Sequence, residues 1–253
     1  MTEYWKDRQA AVFQSLQNET AAEINKRMAK YYVQAEQHCI NAIENLYFKL
    51  PEDATVNDLY KLDKYWQMEA QIQEELTRLG NNTNAALDKG FINHFNKVSN
   101  VVGAQLKTSF ATIDKTVVRA LVEEPWCADG LSYSARIWNN MALLKTTLDE
   151  ELSKCVITGS STISLTKVLE QRFGVARYNA SRVARAEIAH VQNKAAQMRY
   201  KEAGVTQLEF YATEDERECE ECGAMHGKIF SIDEDNIAPL HPFCRCTLLP
   251  VLE

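Results

Sequence analysis

Apolar side chains recur through the first fifty residues at Trp5, Val12, Leu16, Ile24, Met28, Tyr32, Ala35, Cys39, Ile43 and Leu46, mostly in steps of three, four and seven, with no glycine or proline between them. That period predicts an amphipathic helix. Unbroken, it would run about 70 Å at 1.5 Å per residue, more than a compact domain needs, so the segment reads either as two helices or as one long arm. Pro51 stops it. Thr55 then opens "TVND", a capping-box variant with Asp58 three residues on, before an apolar pattern that ends at Gly80. The spacing predicts further helices over residues 83–99, over 105–124 ending at Pro125, and over 133–157 between "WCADGLS" and "TGSST". The stretch from Ile163 to Gly204 reads as a short helix, a turn around Gly174 and a long helix closed by Gly204.

After Gly204 the period changes. "QLEFYAT", "KIFSI" and "CTLLPV" are short β-prone runs separated by cysteine-bearing segments and by Pro239 and Pro242. The predicted class is mainly α: long N-terminal helices and a helical middle, with a small C-terminal β-containing Cys/His module. Its divisions are an N-terminal helical region over 1–129, a helical core over 130–204 and the small module over 205–253. There is no internal repeat and no low-complexity tract.

Composition narrows the setting. At 253 residues, 45% hydrophobic and 9% aromatic, the chain can bury a sizeable core. "MTEYWKDRQAAV" mixes acidic and basic residues where a signal peptide needs a basic start and an apolar stretch. No later run approaches the roughly 20 apolar residues of a membrane span. The expectation is a protein folded in a cytoplasm, where thiols stay reduced and clustered cysteines bind metal more readily than they pair. The formal charge of −7 is local: residues 211–253 carry ten acidic and three basic residues, and the remainder balances. Residues 166–201 carry eight Lys/Arg against two Glu.

Four of the seven cysteines and two of the five histidines fall within residues 215–246. Cys219 and Cys222 stand as C-x2-C, a spacing that turns two thiolates toward one ion. His241 and Cys244 repeat the separation after an intervening strand. Three thiolates and one imidazole suit tetrahedral zinc, with every position filled by protein, so the site reads as structural. Cys246 and His226 are alternate ligands. Two disulfides, or reduced thiols brought together by chance, are the competing reading. The neighbouring acidic residues Asp215, Glu216, Glu218, Glu220 and Glu221 include candidates for a general base, but read more simply as a solvated face. No phosphate-binding glycine loop, His-Glu-x-x-His or deaminase pattern accompanies them, so a catalytic function is not expected.

The basic block has two readings. Its helix-turn-helix outline would let Arg172, Arg177, Arg182, Arg185, Lys194 and Arg199 meet phosphates. The plainer reading, taken ahead of it, is that they clothe the exposed side of a helix whose apolar face includes Val183, Ala186, Ile188 and Val191.

The order "ARYNASRVARAE", "ATEDERECEECGAMHGKIF", "PLHPFCRCTLLP" closely resembles the phage Mu protein F-like, or MuF, family of minor head proteins of tailed bacteriophages. The matching positions are Arg185 and Glu187; Asp215, Arg217, Cys219 and Cys222; Gly227 and Phe230; then His241, Pro242, Cys244, Arg245 and Cys246. The upstream "GLSYSARIWNNMALLKTTL" is similar to members from Gram-positive phages and prophages. The resemblance covers residues 130–253 well and the preceding helices only in general character. One departure is "ARAE" at Ala184–Glu187, where the family often reads "ARTE".

What the resemblance implies is a low-copy virion protein at the portal vertex or capsid interior, with roles in head morphogenesis or the delivery of packaged DNA. Its implied partners are the portal protein, other head components and packaged double-stranded DNA, with docking through the N-terminal helices or self-association, and no membrane. Some relatives continue into toxin or ADP-ribosyltransferase domains. This chain ends seven residues after Cys246, so no appended enzyme is expected. A nucleic-acid-binding zinc module and a zinc-dependent hydrolase or toxin-related effector are the alternatives.

Overall fold

The computed structural model describes residues 3–50, 55, 57–58, 63–111, 113–127, 129–158, 160–213, 219–241 and 244–252. Its elements in chain order are α1 (Glu3–Tyr47), α2 (Asp63–Leu106), α3 (Lys115–Glu123), α4 (Tyr133–Thr158), α5 (Thr162–Glu202), β1 (Gln207–Tyr211), α6 (Glu220–Gly223), β2 (Ile229–Ser231) and β3 (Thr247–Pro250). The chain is therefore mainly α with a small C-terminal β region, as its periodicity predicts. No helix among the described residues is long and apolar enough to cross a membrane.

Of the two readings of the N-terminal segment, a single long helix, Glu3–Tyr47, is the one that forms. Thr55 and Asp58 make the capping-box bonds, with Asp58 Oδ2 accepting from Thr55 N at 3.1 Å and Thr55 Oγ1 accepting from Asp58 N at 3.4 Å. Pro51 and residues 59–62, which this box would lead into, lie outside the described residues.

Three expectations change, each for a local reason. Gly80 does not end a helix: α2 runs through it and through the separate helix expected over 83–99. A Cβ there would come within 2.6 Å of the Trp138 ring, so this glycine admits an aromatic side chain instead of capping. The helix expected over 105–124 is shorter. Lys107 adopts φ 53° and Thr108 N donates to Gly103 O, which closes α2; Asp114 then caps α3 through Thr116 N at 2.7 Å. Finally, α5 continues through Gly174 without a turn, so the helix-turn-helix outline does not form.

The chain divides into two compact units, and α1, α2 and α5 contribute segments to both. In the unit of residues 25–86 and 134–180, every element among the described residues is a helix. Its core is a set of four stripes at three- and four-residue steps: Met28, Tyr32, Ala35, Cys39 and Ile43 on α1; Met68, Ile72, Leu76 and Leu79 on α2; Ile137, Met141, Leu144 and Leu148 on α4; Leu165, Leu169 and Phe173 on α5. Lys145 bridges Glu69 at 2.6 Å and Asp149 at 2.9 Å, and Asn140 Nδ2 donates to Ala176 O at 2.7 Å.

The unit of residues 1–24, 87–133 and 181–253 holds the sheet. Its strands are antiparallel in the order β2-β1-β3, with Leu208 opposite Phe230 and Pro250, and Tyr211 opposite Thr247. Leu208, Phe210 and Leu248 join Phe13, Phe91, Phe95, Ile188 and Tyr200 in the core. The same interior is unusually polar: Gln9, His94, Glu187, His190, Gln192 and Asn193 are all buried.

Two glycines test the packing with opposite signs. Gly90→Ala would bring Cβ within 2.4 Å of Ile24 Cδ1, a side chain only 2% exposed. Overpacking of about 1–3 kcal/mol outweighs the helix-propensity gain of about 1 kcal/mol, so a net loss is expected. At Gly174 an added Cβ meets nothing, and Gly174→Ala is expected to stabilise by up to about 1 kcal/mol. Urea unfolding of both variants checks the pair; a destabilised Gly174→Ala would restore the turn.

Burial also sets a pH response. His94 accepts or donates at Nδ1 with Thr20 Oγ1 at 2.9 Å, and burial, followed by the nearby Lys97 charge, pushes its pKa down to about 4. Burial likewise lowers His190 to about 3. Both rings are neutral in the folded chain and gain protons near pH 6.5 when unfolded, so stability is full above that value and falls as pH drops toward 4. His94→Gln is expected to flatten the pH 7 to 5 dependence of urea midpoints; an unchanged slope would contradict this assignment.

Candidate metal centre

Both ligand arms are short turns that bring a pair of side chains to one side. On the first, Cys219 caps α6: its Sγ accepts from Cys222 N at 3.3 Å and its carbonyl from Gly223 N at 3.0 Å. Gly227, at φ +74°, then returns the chain to the sheet, where Gly227 N donates to Phe210 O and Phe210 N to Lys228 O, both at 2.9 Å. Only a residue without a Cβ adopts that conformation without strain. On the second arm, Cys244 N donates to His241 O at 3.1 Å, and the chain continues through Cys246 into β3.

These turns bring together Cys219, Cys222 and His241, and Cys222 with Cys244 and Cys246; within each group the ligand atoms all lie within 4.8 Å. His241 Nε2 is 3.1 Å from Cys219 Sγ and 3.2 Å from Cys222 Sγ, and Cys222 Sγ is 3.7 Å from Cys244 Sγ. A tetrahedral ion with metal–sulfur bonds of about 2.3 Å holds its sulfurs about 3.8 Å apart, close to the Cys222–Cys244 separation, so the cluster could hold a metal ion. The seven cysteines are free thiols. Cys222, Cys244 and Cys246 are buried, whereas Cys219 and His241 are half-buried.

The electrostatics of the thiols are uneven. The Cys246 thiol donates toward Cys244 and, with backbone N–H groups, holds the Cys244 pKa down to about 5; the same interaction pushes Cys246 far up. The Cys222 N–H lowers Cys219, while burial raises Cys222 to about 12. Cys246 therefore stands beside Cys222 and Cys244 as a hydrogen-bond donor and an available further thiol. His226 belongs to neither group; its ring packs against Tyr211 with centroids 4.8 Å apart.

A residue that sequence reasoning missed fixes the second arm. Asn193 of α5, 1% exposed, donates from Nδ2 to Cys246 O at 3.2 Å, while its Oδ1 accepts from Leu248 N at 3.0 Å and Thr247 Oγ1 at 3.3 Å. Its amide occupies the place of a neighbouring strand's backbone. The available signal was a polar residue on the inward stripe between Ala189 and Ala196, both buried. Thr213 Oγ1 donates to Arg245 O at 3.1 Å from the β1 side.

The remaining motif residues separate. Glu187 is buried and accepts from Trp126 Nε1 at 2.9 Å; the Trp126 ring stacks on His190 at 4.8 Å and 6°. Asp215 and Arg217 lie outside the described residues. Of the six basic side chains, Arg172 pairs with Glu151 at 2.5 Å and Lys194 with Asp235 at 2.6 Å. Arg199 is 4% exposed, bonded to Glu202 at 2.5 Å and Ala111 O at 3.0 Å over the Phe110 ring, so most of its side chain is packed inside. Arg177, Arg182 and Arg185 are exposed.

The helices, the small antiparallel sheet and the two cysteine-bearing turns define a mainly helical protein with a C-terminal Cys/His cluster that could hold a metal ion. Residues 146–249 match the family model described as Phage Mu protein F like protein, a span that contains α5, the sheet, both ligand arms and Asn193. Through this region the chain is similar to phage Mu protein F-like proteins. No curated protein and no solved structure gives a significant match.

Proposed function

We propose that the chain is a minor head protein that docks at the portal vertex, stays within the capsid and acts in head morphogenesis and the delivery of packaged DNA. The Cys/His cluster is in this reading a structural zinc clasp, and the protein is not an enzyme. The observation that carries the proposal is the family match over residues 146–249, which takes in every candidate ligand. Three thiolates and an imidazole are the donor set of a closed tetrahedral zinc site. When bound, zinc supplies a cross-link between the turn after β1 and the turn before β3. The ligand atoms hold the ion, and Asn193 orients the second arm.

Docking falls to the long helices. The first turns of α1 expose Tyr4 (63%) and Trp5 (53%), apolar area that a head component can cover. Exposed Arg177, Arg182 and Arg185 supply contacts to packaged DNA. The test is co-purification of the full chain with the phage's portal protein: a stable complex is expected, and a chain that binds neither portal nor any other head component would end the proposal. For the DNA contact, duplex affinity should fall with salt and fall again when the three arginines become glutamine.

A further inference from the structure

We propose that the cleft beside the metal centre is a binding site for a phosphate-type oxyanion. The cleft has a volume of ≈ 310 Å³, and His241 and Cys244 form part of its wall. Arg185 of α5 and Arg245 of the second ligand arm both line it, together with Gln17 and Asn18 of α1 over a floor of Ala21 and Ile188. Arg185 and Arg245 stand sixty residues apart in the sequence, and nothing in the helical or ligand pattern requires them to meet.

Three features select the ligand class. Among the described residues no acidic side chain lines the cleft, whereas two guanidinium groups do. Gln17 is only 9% exposed, yet its Nε2 has no hydrogen-bond partner among the described residues. A buried donor of this kind is costly unless an acceptor meets it. The donors come from three separate chain segments, an arrangement that a tetrahedral oxyanion accepts better than a planar carboxylate. The volume is at the small end of the range for ligand pockets, about 300–1,000 Å³, enough for one phosphate and what it is attached to.

The phosphate can be free or part of a DNA backbone. The free source is independent of the proposed head role, and the DNA source rests on it. The test is a calorimetric titration of the full, metal-loaded chain with inorganic phosphate and, separately, with a short DNA duplex, at constant ionic strength set by chloride. Saturable binding is expected with at least one probe. Arg185→Gln and Arg245→Gln should each weaken it by about tenfold or more, the effect of losing a charge-assisted hydrogen bond. Metal content and far-UV circular dichroism control for folding, and Arg245→Lys keeps the charge if the glutamine variant loosens the ligand arm. Phosphate binding that depends on both arginines supports a free ligand; duplex binding that depends on both and is competed by phosphate supports the backbone. No saturable binding of either probe, or binding indifferent to both arginines, overturns the site. A chain absent from virions that still binds phosphate would remove the head-protein reading and leave this site intact.

Discussion

Cys222→Ser is expected to release the metal and to destabilise the C-terminal module more than any other single substitution in it. Cys222 is the one residue common to both ligand groups among the described residues. Its sulfur lies 3.2 Å from His241 Nε2 and 3.7 Å from Cys244 Sγ, with the side chain 3% exposed. Losing it leaves no complete tetrahedral set on either side. Structural zinc contributes about 10–16 kcal/mol in zinc-finger peptides; here the helical core and sheet carry part of the fold, so a loss on the order of 4 kcal/mol is expected. At about 2–4 °C per kcal/mol for a chain of this size, Tm falls by about 10 °C. Chelation of the wild type should reproduce that fall. Cys246→Ser should keep one equivalent of metal, because Cys219, Cys222, His241 and Cys244 suffice. Metal analysis with thermal unfolding of the two variants checks both statements, and a Cys222→Ser protein with full metal content would refute the assignment.

Asn193→Leu is expected to have the second-largest effect. The substitution roughly keeps the size and does not lower helix propensity, but it removes the acceptor for Leu248 N and Thr247 Oγ1 and the donor to Cys246 O. The two backbone groups are buried, and each left unpaired costs about 1–3 kcal/mol, for a total of about 3 kcal/mol. Because the same bonds position the strand that follows Cys244 and Cys246, metal affinity should also fall, by about 10- to 100-fold as for other groups that orient ligands. A merely structural role would lower stability without moving the metal dissociation constant. Competition with a chromophoric chelator separates the two outcomes.

The parts of this architecture that follow from short-range pattern were legible in the sequence. The stripe from Met28 to Leu46 is buried as its spacing predicts, the three β-prone runs contain β1, β2 and β3, and the Cys/His segments meet in two overlapping groups that share Cys222. What failed depended on a neighbour distant in sequence. A glycine within a helical pattern reads as a stop unless the Trp138 ring that approaches Gly80 is known, and Gly174 reads as a turn although α5 has no need of one. The polar interior was hidden for a related reason. Amphipathic patterning assigns polar side chains to solvent, whereas Asn193, Glu187 and Arg199 turn inward and find partners in β3, Trp126 and the 107–114 connection. The basic block therefore looked more uniformly solvent-facing than it is, and only Arg177, Arg182 and Arg185 of the six remain exposed.

Quantitative mass spectrometry of purified phage particles tests the central claim most directly. The proposed role expects this chain in mature virions at low copy relative to the major capsid protein, retained in DNA-filled heads together with the portal. Its absence from heads in which the portal protein is readily detected would contradict that role.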